Sequence, residues 1–149
     1  MTGDTDGGDV IRPALAALPD ELCHLIADAI GDGDLDAALS YYEPDAIQAT
    51  DTEAPAIGLD AIRQVLAGAV EAKLAYDVQV QRSLIIGEIA LLAGRWSMRG
   101  TDQSGVPSAV FGTVSSIARR GPDRSWRVMA ETLIRDTGPA PGVAGERRP

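Results

Sequence analysis

Apolar positions recur first at helical spacing and then at alternating spacing along this chain. Leu22, Leu25, Ile26, Ala29 and Ile30 follow one another at three- and four-residue steps, which places them on one stripe of a helix. Pro19, Asp20 and Glu21 precede that stripe, with the acidic residues at the positive end of the helix dipole, and Gly31 to Gly33 end it. Asp34 is then placed to cap a short helix carrying Leu35, Ala38, Leu39 and Tyr42, which Pro44 stops by disfavouring the helical conformation of the residue before it. From Ala46 to Thr50 the pattern alternates, with Ala46, Gln48 and Thr50 on one side and Ile47 and Ala49 on the other. A third helix opens at Asp60 and turns Ile62, Val65, Leu66, Ala69 and Val70 inward. Four strands follow, Tyr76 to Ile86, Ile89 to Arg99, Pro107 to Arg119 and Ser125 to Arg135. Gly87-Glu88, Thr101 to Gly105 and Gly121 to Arg124 supply short hairpin links. Helices first and strands after predict an α+β domain, helices covering one face of an antiparallel sheet. If the sheet curls around the helices, a pocket forms between them.

Length and charge narrow the picture. A chain of 149 residues with 45% hydrophobic content suits one domain with one core. The expected domain spans 11–137, with tails at 1–10 and 138–149 that are rich in Gly, Asp and Pro. Thirteen Lys and Arg against twenty-two Asp and Glu leave a net charge of -9, which repels a phosphate backbone and argues against nucleic acid. No apolar run is long enough for a membrane span, the first residues do not read as a signal peptide, and a cytoplasmic location is the expectation.

Candidate chemistry is sparse. Cys23 is the only cysteine and reads as a buried structural thiol, since its neighbour His24 diverges from it by about 100° around the helix. His24 is the only histidine and has no second ligand one turn on, so no metal and no cofactor are expected. The acidic DGDLD lacks the twelve-residue calcium-loop pattern. No phosphate loop, dinucleotide fingerprint or Ser-His-Asp set can be assembled.

The segment GDLDAALSYYEPDA, the loop ending GLDAI, and the strands carrying ALLAGRW and SWRV together resemble the NTF2-like superfamily, over about Asp20 to Asp136. Within it, the chain is most similar to the SnoaL-like and SgcJ/EcaC-type small proteins. The resemblance implies a cone-shaped (cystatin-like) fold in which three N-terminal helices pack on a curved antiparallel sheet around a cavity. It also implies a homodimer through the outer sheet face, and fold alone leaves function open. The SgcJ/EcaC likeness implies enediyne-type polyketide biosynthesis, a hydrophobic polyketide or polyene ligand, and a polyketide synthase or tailoring enzyme as a further partner.

Some superfamily members hydrolyse epoxides, and their pattern transfers position by position. Arg95 falls at the arginine of a middle strand, Ser97 where an acid stands two residues on, Glu131 at the last-strand acid, and Gln48 and Thr50 at the water-holding positions. Serine cannot serve as the missing acid at neutral pH, so epoxide opening is not expected. Glu131, flanked by apolar residues, is a candidate general acid or base, an orienting group for ligand, or one half of a structural pair with Arg95. Either Tyr41 or Tyr42 is expected to face the cavity, Tyr42 standing as a ligand contact, with Phe111 and Met129 in the wall. Trp96, Met98 and Trp126 are expected on the outer, dimer-forming face, where large apolar side chains need a cover. Two functions follow: a binding protein with little or no chemistry, or a cofactor-free cyclase, isomerase or hydratase using Glu131 as acid or base, with Arg95 stabilising negative charge and Gln48 and Thr50 orienting water or a carbonyl.

Overall fold

A computed structural model describes residues 14–137. The expected tails, 1–10 and 138–149, lie outside the described residues. Among the described residues three helices, α1 (Glu21–Gly31), α2 (Leu35–Leu39) and α3 (Leu59–Glu71), are accompanied by six strands. These are β1 (Tyr42–Thr50), β2 (Ala56–Ile57), β3 (Ala75–Ile86), β4 (Ile89–Thr101), β5 (Pro107–Arg120) and β6 (Trp126–Arg135). They form one sheet in the order β2-β1-β6-β5-β4-β3. Every neighbouring pair is antiparallel except β1 and β6, which run parallel.

Local chemistry accounts for the element ends. Asp34 caps α2 by accepting from the Ala37 amide at 3.0 Å. Glu21 reaches back from the first turn of α1 to accept from the amides of Ala17 and Leu18. Gly87 links β3 to β4 with φ 60°, a left-handed conformation that a side chain would strain. Pro44 does not stop α2, which already ends at Leu39; the proline lies inside β1, in an irregular stretch where the pairing with β6 shifts register between Tyr42 and Ile47. That irregularity relieves the proline of a ladder hydrogen bond it cannot donate.

Two buried clusters fill the space between helices and sheet. One gathers Leu22, Ile26, Ala38, Leu39, Tyr41, Ile62, Ala118, Trp126 and Val128 among others. The second joins Cys23 of α1 to Val78, Leu92, Trp96, Val114 and Leu133 of the sheet. Gly94 and Gly112 sit where the backbone of a neighbouring strand leaves no room for a side chain. A Cβ on Gly94 would stand 2.2 Å from the Gln79 carbonyl oxygen, and one on Gly112 would stand 2.0 Å from that of Ile134.

Strict alternation on β4 holds, but its two faces are the reverse of the expectation. Ala90, Leu92, Gly94 and Trp96 are buried under the helices, whereas Arg95 and Ser97 turn to the outer side. The indole of Trp96 is the largest apolar group on the strand, and burying it beneath α1 removes far more apolar surface than the other orientation would. Trp96 and Met98 therefore face the interior rather than a dimer interface. Trp126 is likewise interior, packed in the first cluster and bonded through its amide to the Ala16 carbonyl.

Alternation on β6 is broken. Ala118 pairs with Val128 and Ile117 with Ala130, so Met129 is the extra residue of a bulge. The bulge keeps Trp126 and Val128 on the inner face before it and Glu131 and Leu133 on the same face after it, all four buried. Met129 itself is partly buried and stands outside the cavity wall.

Candidate functional site

The cone holds a cavity of about 160 Å³ between α1, α3 and the concave side of the sheet. Its walls are apolar: Ile26 and Ile30 of α1, Val65, Leu66 and Ala69 of α3, and Trp96, Met98 and Leu133 of the sheet. The exposed residues Asp51, Thr52 and Arg135 mark the mouth, where Arg135 faces Asp51 at 3.5 Å. Tyr42, Gln48, Thr50 and Tyr76 supply the polar part of the lining.

Behind Tyr42 and Gln48 lies Glu131, buried and held from three sides. Tyr42 donates its hydroxyl to Glu131 Oε1 at 3.0 Å, and Gln48 Nε2 donates to the same oxygen at 3.1 Å. Ser116 Oγ donates to Oε2 at a longer 3.4 Å. The register produces this cluster directly, since Gln48 and Ser116 are the cross-strand partners of Glu131 on its two sides. Burial raises the Glu131 carboxyl above its ordinary range, and the three donors offset that only in part. Glu131 thus binds its proton more tightly than an exposed glutamate, and among the described residues no guanidinium is paired with it to hold it ionised.

The same desolvation acts on the groups around it. Tyr42 is pushed well above the usual phenol value by burial and by the adjacent carboxylate. Tyr76 is raised in the same way. The Cys23 thiol is pushed up to about 12 by burial and by Glu131, which leaves it protonated and inert as a nucleophile.

Gln48, Thr50, Tyr42 and Glu131 are therefore brought together at the cavity or directly behind it. Arg95, Ser97 and Phe111 are not. They share an outer cleft with Asp77, Gln79 and Arg99, where Arg95 is paired with Asp136 and the Arg99 guanidinium sits 5.0 Å from the centre of the Phe111 ring. An Arg95–Glu131 pair does not exist, because the two side chains lie on opposite faces of the sheet. Of the two tyrosines, Tyr42 faces the cavity, while Tyr41 donates to the Ala14 carbonyl at 2.7 Å outside it.

Sequence reasoning missed Ser116 and gave Tyr76 no role. Ser116 was findable: it interrupts the apolar series Val114, Ser116, Ala118, and a polar residue on a buried face implies a polar partner across the ladder. Among the described residues no cluster of three or more His, Cys, Asp or Glu is arranged to hold a metal ion.

Several solved structures share this architecture. A ketosteroid isomerase-like protein from Erwinia carotovora atroseptica aligns at TM-score 0.68 and 16% identity, over 83% of this chain and 96% of its own. An NTF2-like protein with a cystatin-like fold from Novosphingobium aromaticivorans aligns at TM-score 0.70 and 18% identity, over 86% of both chains. A putative calcium/calmodulin-dependent protein kinase II association domain from Xanthomonas campestris aligns at 0.68 and 18%, over 87% of this chain and all of its own. At such identities the likeness establishes the cone fold and no activity. No curated protein matches the sequence. The sequence profile of the SnoaL-like domain matches residues 24–137, from the first turn of α1 to just past the end of β6, and the chain belongs to that family.

Proposed function

We propose that this protein binds the end of an apolar small molecule in its cone and does little or no chemistry on it. The observation that carries this reading is the position of Glu131: the one carboxyl buried in the interior among the described residues stands behind Tyr42 and Gln48 rather than on the cavity surface. Cavity size sets the ligand. An apolar cavity of about 150 Å³ accommodates a single benzene ring, whereas drug-sized ligands need roughly 300 Å³ or more. At about 160 Å³ the cone takes one ring or a few terminal carbons, with the remainder of a longer molecule leaving past Arg135 and Asp51. A polyketide or polyene intermediate of enediyne-type biosynthesis is the ligand class that the SgcJ/EcaC resemblance favours, held by one end.

A second copy of the chain completes this reading. Leu84, Leu91, Ile117, Ala130 and Ile47 stand in register across five strands on the outer face, and the four large ones are 40–48% exposed. A row of this kind can meet its own copy about a two-fold axis. It replaces Trp96, Met98 and Trp126 as the dimer contact.

The raised proton affinity of Glu131 favours one other reading, a cofactor-free isomerase, cyclase or hydratase in which Tyr42 passes a proton between ligand and carboxyl. Incubation with polyene and polyketide intermediates, followed by mass spectrometry and by the fluorescence of Trp96, separates the two. Saturable quenching without product, abolished by Ala69→Phe in the cavity wall, is the expected outcome. A product that forms with the wild type and not with Glu131→Gln would make the protein an enzyme. Absence of binding by any apolar molecule would remove the ligand reading altogether.

A further inference from the structure

Gln48 is an amide with two ends in different situations. Its Nε2 is engaged by Glu131 at 3.1 Å and lies 3.5 Å from the Tyr42 hydroxyl. Its Oε1 is the only buried side-chain polar atom without a hydrogen-bond partner among the described residues. The residue is 7% exposed and forms part of the wall both of the main cavity and of a smaller cleft beside Thr52, Ala56 and Val65. A carboxylate only accepts hydrogen bonds, so Glu131 dictates that the amide nitrogen faces it and the carbonyl oxygen turns away. An unpaired buried acceptor is costly, and a donor brought to it through the cavity that its own side chain lines would satisfy it.

We infer that Gln48 Oε1 reads a hydrogen-bond donor on the ligand, so that the molecule entering the cone is a ring or chain end bearing a hydroxyl rather than a bare hydrocarbon or a ketone. This rests on the reading that the cone binds an apolar molecule, and it names the polar group that such a molecule carries. It also departs from the expectation that Gln48 orients water or a carbonyl. The amide has no free donor to offer, because one of its two N–H groups goes to the Glu131 carboxylate and the other to the Tyr42 hydroxyl oxygen at 3.5 Å. Sites built around a hydroxyl reject the analogue without it strongly, since the group that should be paired is left buried and alone. Tyr76, on the same wall, can donate to an alcohol and to a ketone alike, so it does not set the preference.

Three probes of one size test this: cyclohexanol, cyclohexanone and methylcyclohexane, titrated into the full chain at pH 8.5 to favour the Glu131 carboxylate. Trp96 fluorescence and calorimetry report binding. Cyclohexanol is expected to bind about tenfold more tightly than cyclohexanone. Gln48→Leu, and Gln48→Met should the first variant fold poorly, are expected to erase that preference. Equal affinity for alcohol and ketone in the wild type would overturn the inference and leave the apolar-ligand reading standing. A preference that survives in the folded Gln48 variants would overturn it as well, by moving the discrimination to another group. Failure of all three probes to bind would overturn both.

Discussion

Arg95 and Trp96 are neighbours on one strand and live in different solvents. Trp96 is 6% exposed, packs against Cys23, Val78 and Leu133, and donates its indole N–H to the Thr113 carbonyl at 2.9 Å. Arg95 holds Asp136 on the outer side, with about a third of its side chain in water. The contrast runs through the whole sheet. The inner face has few polar groups, and four of them, Glu131, Gln48, Tyr42 and Ser116, are bonded into one cluster. The outer face carries many charges in separate pairs, such as the bidentate Arg119–Glu43 contact at 2.9 and 2.7 Å, beside an exposed apolar row. A polar group inside must find a partner or a ligand, whereas one outside has water as an alternative. Functional hypotheses therefore belong to the inner set, and association hypotheses to the outer.

The sharpest way to break this comparison is to truncate the two neighbours. Trp96→Ala should cost about 3–5 kcal/mol in urea unfolding, the usual cost of removing a buried aromatic. Arg95→Ala should cost no more than about 1 kcal/mol, since partly exposed ion pairs contribute little. Similar losses for both would mean that the strand faces are assigned wrongly.

A smaller effect is expected within the inner set. Tyr42→Phe deletes a hydrogen bond to a charged group, worth about 1.5–3 kcal/mol when Glu131 is ionised. The loss should shrink in acid as the carboxyl takes up its proton. A pH-independent loss would argue that Tyr42 stabilises by packing alone.

Glu131→Gln sharpens the same point through linkage. The folded carboxyl titrates above the unfolded one, whose value is about 4.3, so between those two points the native state holds more protons than the unfolded chain. Its contribution to stability accordingly falls as pH rises through that window and is level above it. The glutamine variant should lack this decline when stability is measured against pH; an unchanged slope would place the titration on another group.

The smallest change in fold stability is expected outside. Leu91→Ser, on the exposed row, should shift folding of the isolated chain by about 0.5 kcal/mol or less. If the outer face pairs with a second copy, that same change should lower the molecular mass measured by light scattering at micromolar concentration. A wild type that is already monomeric there would remove the dimer from the reading.

Much of the fold was legible because it is written locally. Helical spacing at Leu22, Leu25 and Ile26 and at Ile62, Val65 and Leu66, the Asp34 cap, and the hairpin turn at Gly87 each depend on residues within a few positions of one another. Alternation along β4 and along the end of β1 was equally visible. Glu131 and Gln48 came into one site only through the family resemblance, and the register sets them directly opposite each other.

What remained hidden depends on partners distant in sequence. Alternation says that Arg95 and Trp96 point opposite ways, but which way is inward is decided by where α1 lies, and that is a tertiary contact. The bulge at Met129 is decided by the pairing of β6 with β5, and it alone returns Glu131 to the face of Val128 after a one-residue slip in period. Strict alternation would have sent the two residues to opposite sides. The sequence by itself determined the order of elements and the two-sidedness of each strand, because both arise from neighbouring backbone geometry. Only the packed structure chose the inner side of each strand, and with it gave Glu131 the hydroxyls and amide of Tyr42, Ser116 and Gln48 in place of Arg95.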